Sequence, residues 1–302
     1  MSAPSPVIET TALRKRFRRI TALDGLDLRV DAGEVHGFLG PNGAGKSTAI
    51  RILLGLMRAD SGSSRVFGHD PWANSEAVHR RISYVPGDVS LWPSLTGGEV
   101  IDLLTSLRGG ADRTLSERLV QDFDLDLRRR SRSYSKGNRQ KVALIAAFAR
   151  RADLYILDEP TSGLDPVMES VFRQQVARVR DEGAAVLLSS HILTEVEQLC
   201  DRVTIIRAGT AVESGSLAEL RHLTRTVFRL TGVTSAGALP TLAGVHSFEQ
   251  HAEEIRFEVE QHALPAALEE ASRLAPTGLT VAPPSLEDLF LHHYESDAGV
   301  RS

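Results

Sequence analysis

Residues Gly40 to Thr48, GPNGAGKST, match the pattern G-x-x-x-x-G-K-[ST] at every fixed position, and their flanks narrow what the surrounding chain can be. Glu34 to Leu39 (EVHGFL) is a short apolar run with the character of a buried strand, and Ala49 to Leu56 carries apolar residues at helical spacing. Strand, glycine turn and helix is the context in which this pattern cradles phosphate. Gly40, Gly43 and Gly45 are expected to take positive φ, with Pro41, Asn42 and Ala44 between them. Successive N–H groups then point at a polyphosphate, and the helix N-terminus adds partial positive charge. Lys46 is expected to reach the β- and γ-phosphates, Ser47 to offer its hydroxyl to Mg²⁺, and Thr48 to hydrogen-bond a phosphate oxygen. The first expectation is therefore an α/β protein with a nucleoside triphosphate site.

A chain of 302 residues has room for one large domain or two smaller ones. Its formal net charge of −4 leaves no electrostatic footprint for nucleic acid, so no nucleic-acid partner is expected. No apolar run approaches the ~18–20 residues of a membrane span, and the N-terminal stretch MSAPSPVIETT lacks the basic and apolar regions of a signal peptide. The chain is expected to stay in a reducing cytoplasm. Its single cysteine, Cys200, lies between a helical pattern and a strand-like run and reads as a small buried hydrophobe.

In chain order, Val7–Arg14, Leu26–Val30 and Glu34–Leu39 read as strands, with Asp31–Gly33 as a turn. The basic cluster from Arg14 to Ile20 holds one aromatic, Phe17, which suits either an exposed strand end or a ring stacked on a base. Strands are expected within Ser61–Gly68 and at Arg80–Pro86. From about Asp88 to Arg150 helical patterns take over: Thr96 and Glu99 form a capping box, and Ser135 caps a helix with an apolar face of Val142, Ile145, Ala146 and Ala149. The apolar run Leu154–Leu157 then delivers two acids, Asp158 and Glu159, at a strand's C-terminal end, where α/β sheets place their chemistry. Helices at Val167–Arg180 and Leu193–Leu199 and strands at Ala185–Ser189 and Val203–Arg207 continue the α/β pattern, with His191 between. After Leu223 come strands at Thr226–Leu230, His246–Glu249, Glu254–Glu258 and Leu279–Val281, a helix at Leu264–Leu274, and a capped amphipathic helix in SLEDLFLHHY (Ser285–Tyr294). These features predict two domains, residues 1–222 with a helical subdomain at about 88–150, and a small accessory α/β domain at 223–302.

Taken together, the motifs resemble the ATP-binding subunits of ATP-binding cassette (ABC) transporters over roughly the first three-quarters of the chain, within the drug and antibiotic exporter branch. GPNGAGKST is similar to Walker A, YSKGNRQK (Tyr134–Lys141) to the signature motif of such exporters, and LYILDEP (Leu154–Pro160) to Walker B. SGLD (Ser162–Asp165) looks like the D-loop, and His191 falls at the switch histidine. The resemblance implies a phosphate-loop core sheet, an antiparallel β subdomain and a helical subdomain. It implies that Asp158 holds Mg²⁺ with Ser47, that Glu159 polarises the attacking water and that His191 touches the γ-phosphate. Phe17 then stacks on adenine. Ser135, Lys136, Gly137 and Asn138, with Asp165, act on ATP held by a second ATP-binding subunit, expected to be another copy of this chain. A separate transmembrane permease is implied, placing the chain on the inner face of the cell membrane.

The sequence departs from the family pattern in places. Lys136 and Asn138 stand where many relatives carry glycine and glutamine. More consequential is Gly87, which follows Tyr84-Val85-Pro86 where the family's Q-loop glutamine is expected, and which has no amide to offer a metal or water. Leu91, Trp92 and Leu95 are expected to be exposed on a surface that cups the permease. Two rival readings stand beside the exporter ATPase: a soluble ABC ATPase acting on ribosomes or DNA, and a weakly hydrolysing regulatory module.

Overall fold

Two long strands, β1 (Ile8–Phe17) and β2 (Ile20–Val30), form an antiparallel hairpin closed at Phe17↔Ile20. Arg18 takes φ +51° in the tight turn, so the basic cluster is a strand end and hairpin tip. After β3 (Val35–Leu39) comes α1 (Lys46–Leu53), which starts at Lys46, earlier than the apolar spacing predicts, because Gly45 is its left-handed N-cap. β4 (Ser61–Val66) pairs with β1 to complete a sheet of order β2-β1-β4. The short α2 (Ser75–His79), not evident in the sequence pattern, precedes β5 (Ile82–Val85).

The helical stretch holds α3 (Gly97–Ser106), α4 (Arg113–Asp122) and α5 (Lys136–Phe148). The capping box of α3 forms: Glu99 N donates to Thr96 Oγ1 at 3.3 Å, and Thr96 N donates to Glu99 Oε2 at 2.7 Å. Ser135 caps α5, accepting from Asn138 N at 3.2 Å. The expected one-sided apolar face of α5 is corrected, because every residue from Gln140 to Ala149 is buried. Two polar members of this run, Gln140 and Lys141, do not read as core residues by composition.

Next follow β6 (Leu154–Asp158), α6 (Pro166–Asp181), β7 (Ala185–Ser190), α7 (Leu193–Leu199), β8 (Arg202–Arg207) and β9 (Thr210–Ser216). The second sheet runs β5-β6-β7-β3-β8-β9, and its β5-β6, β6-β7, β7-β3 and β3-β8 pairs are parallel. β3, β6 and β7 are buried along their whole length, which explains their unbroken apolar runs. Phe148 stacks on Tyr155 and meets Phe172, with ring centroids 5.4 and 6.3 Å apart, tying α5, β6 and α6 together. A continuous core through Leu13, Leu26, Phe38, Ile50, Leu154 and Leu187 joins the antiparallel sheet to the parallel one around α1.

The structure is a computed structural model that describes residues 6–222 and 225–282, with only the backbone at 221 and 222. Contacts divide the chain into two units between Gly215 and Ser216, ahead of the boundary at 222/223, because α8 (Leu217–His222) groups with the second unit. That unit carries β10 (Thr226–Thr231), β11 (Val245–His251), β12 (Glu254–Val259), α9 (Leu264–Arg273) and β13 (Gly278–Ala282). Its antiparallel sheet has the order β11-β12-β10-β13, and Phe228, Leu230, Ile255 and Phe257 pack with Ala267 and Ala271 of α9. The helix expected at Ser285–Tyr294 lies outside the described residues. Among the described residues no helix is long and apolar enough to cross a membrane.

Candidate functional site

Parallel pairing brings the ends of four strands to one edge of the sheet: the glycine loop after β3, Gly87 after β5, the acids at the end of β6 and His191 after β7. Three glycines shape the loop, for different reasons. Gly43 (φ +82°) and Gly45 (φ +115°) lie in the left-handed region, whereas the expected positive φ of Gly40 is not found. Gly40 is required by space, since a Cβ there would run into the Ile206 carbonyl. Gly45 is constrained twice, because its Cβ would also meet the Ala22 carbonyl at 2.5 Å. Ala44 is buried, Pro41 half-buried, and Asn42 and Gly43 exposed. No side chain caps the N-terminus of α1, so its first N–H groups are left to an anion.

Lys46 is only 6% exposed, and its Nζ donates to Gly40 O at 2.5 Å and Pro41 O at 3.2 Å. Burial lowers its pKa, while Glu159 and Asp158 favour the charged form. The ammonium is thus held beneath the loop by neutral carbonyls, next to two carboxylates. Ser47 is exposed and Thr48 half-buried, both on the first turn of α1.

Asp158 ends β6 and is buried. Ser189 Oγ donates to its Oδ1, and Ser47 Oγ lies 3.4 Å from its Oδ2. One carboxylate and one hydroxyl, both hard oxygen donors, suit Mg²⁺, which is bound by few protein oxygens together with substrate phosphates. Glu159 takes φ +46°, a conformation unfavourable for a side chain with a Cβ. Its N–H donates to Ser189 O at 2.9 Å and its carbonyl accepts from Ser162 N at 3.2 Å, which hold the bend. His191, 53% exposed, brings Nδ1 within 3.2 Å of Glu159 Oε1. Lys46, Ser47, Asp158, Glu159 and His191 therefore form one cluster.

Gly87 faces this cluster. A Cβ added to it would lie 3.3 Å from the Asp158 carbonyl oxygen and 3.6 Å from Asp158 Oδ2, and its φ is outside the left-handed region. A side chain at position 87 would therefore start beside Asp158, with a close contact to its carbonyl oxygen that a small shift must relieve.

The signature residues stand elsewhere. Among the described residues Ser135–Asn138 make no hydrogen bond to the glycine loop; they abut the segment after Glu159 instead. Lys136 Nζ donates to Ser162 Oγ at 2.6 Å, and a Cβ on Gly137 would strike the Gly163 carbonyl. Gln140 Nε2, buried, donates to Pro160 O at 2.9 Å. The Asp165 carboxylate is engaged as the N-cap of α6, accepting from Val167 N and Met168 N at 3.0 Å. Phe17 stands at the hairpin tip, 41% exposed, with Lys15 Nζ 5.6 Å from its ring centroid. Sequence reasoning missed Ser189, whose hydroxyl and carbonyl serve both acids. Its only sequence mark is its place at the end of an apolar strand beside His191.

The fold and these loops define a phosphate-loop nucleotide-binding protein, and comparison with known proteins places it further. The family described as ABC transporter matches residues 23–162, and that described as ATP-binding protein DrrA1-3-like, C-terminal domain, matches residues 215–294. The daunorubicin/doxorubicin resistance ATP-binding protein DrrA of Streptomyces peucetius is 42% identical over 72% of this chain and 68% of its own length. The bacitracin transport ATP-binding protein BcrA of Enterococcus faecalis is 33% identical over 72% of each chain. A solved structure described as the ATP binding subunit of an ABC transporter superposes with TM-score 0.67 at 32% identity, covering 72% of this chain and 92% of that one. The chain belongs to the ABC transporter ATP-binding proteins, which are ATPases that power transport.

The two left-handed glycines should respond differently to a methyl group. Gly45→Ala meets both an unfavourable φ and the Ala22 carbonyl, and is expected to abolish binding of a fluorescent ATP analogue. Gly43→Ala has open space and is expected to weaken the same binding only several-fold, in line with the ~1–2 kcal/mol penalty for a left-handed residue bearing a Cβ.

Proposed function

We propose that this chain is the ATP-hydrolysing subunit of an exporter for a small molecule such as a drug or antibiotic, working as a pair of identical copies beneath a separate membrane permease. The convergence of Lys46, Ser47, Asp158, Glu159 and His191 on one sheet edge carries this reading. The drug-resistance and antibiotic-transport functions named for its relatives support the cargo class.

In this reading the β- and γ-phosphates lie on the N–H groups of the loop and of α1, and Lys46 turns from the loop carbonyls toward their charge. Ser47 and Asp158 hold Mg²⁺, which when bound neutralises charge on the phosphate oxygens. Glu159 orients and polarises the attacking water, and its bent backbone aims the carboxylate away from the strand. His191, already beside Glu159, meets the γ-phosphate. Ser135 and the N-terminus of α5 supply a second anion site that closes on ATP bound by the other copy, with Lys136 and Asn138 flanking it and Asp165 at the neighbouring turn. Phe17 offers an exposed ring to adenine. ATP favours the closed pair over the open one, so binding and hydrolysis shift the population between them.

The permease is expected to grip the helical subdomain. Trp92 is 49% exposed, although Leu91 and Leu95, expected beside it, are half-buried. A cleft of about 980 Å³ is lined by Leu54, Leu56, Tyr84, Leu104 and Leu107 together with Glu76, His79, Arg80, Arg108 and Arg150, and Leu107 is 75% exposed. We assign this surface, leucines bordered by charged residues, to a short amphipathic helix of the permease, since such grooves hold a helix by its apolar face.

Three measurements test these assignments. Glu159→Gln should keep ATP binding and lower turnover by about 10²–10⁴-fold, the usual contribution of a general base; unchanged turnover removes Glu159 from the reaction. Gly87→Gln should raise the affinity for Mg²⁺ in the ATPase assay or raise turnover, because its side chain starts beside Asp158 and brings an amide; an unchanged magnesium dependence and rate shows that the loop works without it. Trp92→Ala and Leu107→Asp should leave ATP binding intact and reduce the membrane protein recovered with the tagged chain from native membranes, identified by mass spectrometry. Undiminished recovery moves the docking surface elsewhere.

A further inference from the structure

Beyond the cluster on the sheet edge, one half-buried carboxyl, Glu195, has no role in the reaction described so far. Glu195 lies on the first turn of α7, four residues after His191. Ser190 Oγ, 2% exposed at the end of β7, donates to Glu195 Oε2 at 2.8 Å and accepts from Ile192 N at 3.0 Å. The Ser190 hydroxyl thus closes a ring around His191, holding the residue after it by the backbone and leaning on Glu195 for its own orientation. A serine hydroxyl has one proton, so donating it to Glu195 leaves the oxygen lone pairs aimed at the Ile192 N–H.

The other carboxyl oxygen, Glu195 Oε1, is buried without a hydrogen-bond partner that meets ordinary geometry. It belongs to a carboxyl that lines a cavity of about 110 Å³ with Thr161, Glu169, Arg173 and Gln198. Burial pushes the Glu195 carboxyl up, while the Ser190 and Thr161 hydroxyls and the nearby His191 favour its ionised form and Glu169 opposes it. Thr161 is itself buried, two residues after Glu159. Glu195 therefore stands between the turn that carries His191 and the segment that carries Glu159.

We infer that Glu195 is a positioning residue for ATP hydrolysis, which through the Ser190 hydroxyl fixes the turn that aims His191. Glu195 does not touch substrate; its effect passes through His191. This inference rests on the ATPase activity and on the assignment of His191 to the γ-phosphate. If Glu159→Gln abolishes turnover but the variants below do not, the inference fails while the site stands.

The test uses the full-length chain, with steady-state ATPase rates, binding of a fluorescent ATP analogue and thermal melting on the same preparations. Glu195→Ala and Ser190→Ala are each expected to lower kcat about 10- to 100-fold, the scale of losing orientation at a reacting centre, with KM and analogue binding within about twofold. Glu195→Gln, whose amide oxygen still accepts from Ser190, is expected to retain at least about half of the parent kcat. The Ser190→Ala/Glu195→Ala double variant should be no slower than either single one, because both break the same link. A kcat effect at unchanged nucleotide binding and melting temperature separates positioning from simple support of α7. Normal kcat in Glu195→Ala, multiplicative losses in the double variant, or Glu195→Gln as slow as Glu195→Ala would each overturn the inference. Should Glu195→Ala not fold, Ser190→Ala and Glu195→Gln decide it: slow Ser190→Ala with active Glu195→Gln sustains it, and normal Ser190→Ala ends it.

Discussion

The hydrogen-bonded pairing of β7 between β3 and β6 is the constraint on which the site depends. Leu39 at the end of β3 pairs with Ser190, and Asp158 at the end of β6 pairs with Ser189, so three loops leave the sheet at one level. Side chains alternate along a strand, and a slip of one residue in either pair would turn Asp158 or Ser189 to the opposite face. The register is secured by burial: β3, β6 and β7 are covered on both faces, and Phe148, Tyr155 and Phe172 lock α5 and α6 against them. Packing energy spread over the whole core is thereby converted into the position of a few polar atoms at its edge.

Charge at that edge is arranged with few partners. Lys46 rests on two carbonyls, Asp158 on the hydroxyls of Ser189 and Ser47, and Glu159 on His191. Neutral hydrogen-bond partners hold the buried lysine and aspartate in place, leaving the ammonium available to a polyphosphate and the carboxylate oxygens to a cation. The left-handed backbone of Glu159 is unfavourable by itself and is held by hydrogen bonds to Ser189 and Ser162. The same segment continues to Pro160, Ser162 and Gly163, against which Gln140, Lys136 and Gly137 pack. A shift in the segment after Glu159 must therefore be felt at the start of α5. That is a direct physical link between Glu159 and the surface proposed to close on a second nucleotide.

Several elements were legible in the sequence because local chemistry alone produces them. The capping box at Thr96 and Glu99, the Ser135 cap and the extended runs of β3, β6 and β7 follow from hydrogen-bonding side chains and apolar pattern. Others were not, because tertiary packing overrides pattern. From Gln140 on, α5 is buried on every side although Gln140 and Lys141 suggest an exposed face, and Gln140 donates to a carbonyl twenty residues away, at Pro160. α2 is a single short turn of helix whose existence depends on its neighbours.

For the site the division is similar. The sequence by itself marked the phosphate loop and the acid pair, because each is a contiguous motif whose chemistry requires those residue types, and it marked His191 only through the resemblance to a family. It also marked Gly87 as a departure from pattern. Only the tertiary structure decided that Gly40 is required by the nearby Ile206 carbonyl rather than by its φ, that Ser189 holds Asp158, and that Glu195 closes on Ser190 behind His191. The physical reason for the first two is distance along the chain: a motif records what neighbours in sequence must do together, whereas these partners meet only where β3, β6, β7 and β8 lie side by side; Ser190 and Glu195 are five residues apart and meet only through the bend from β7 into α7.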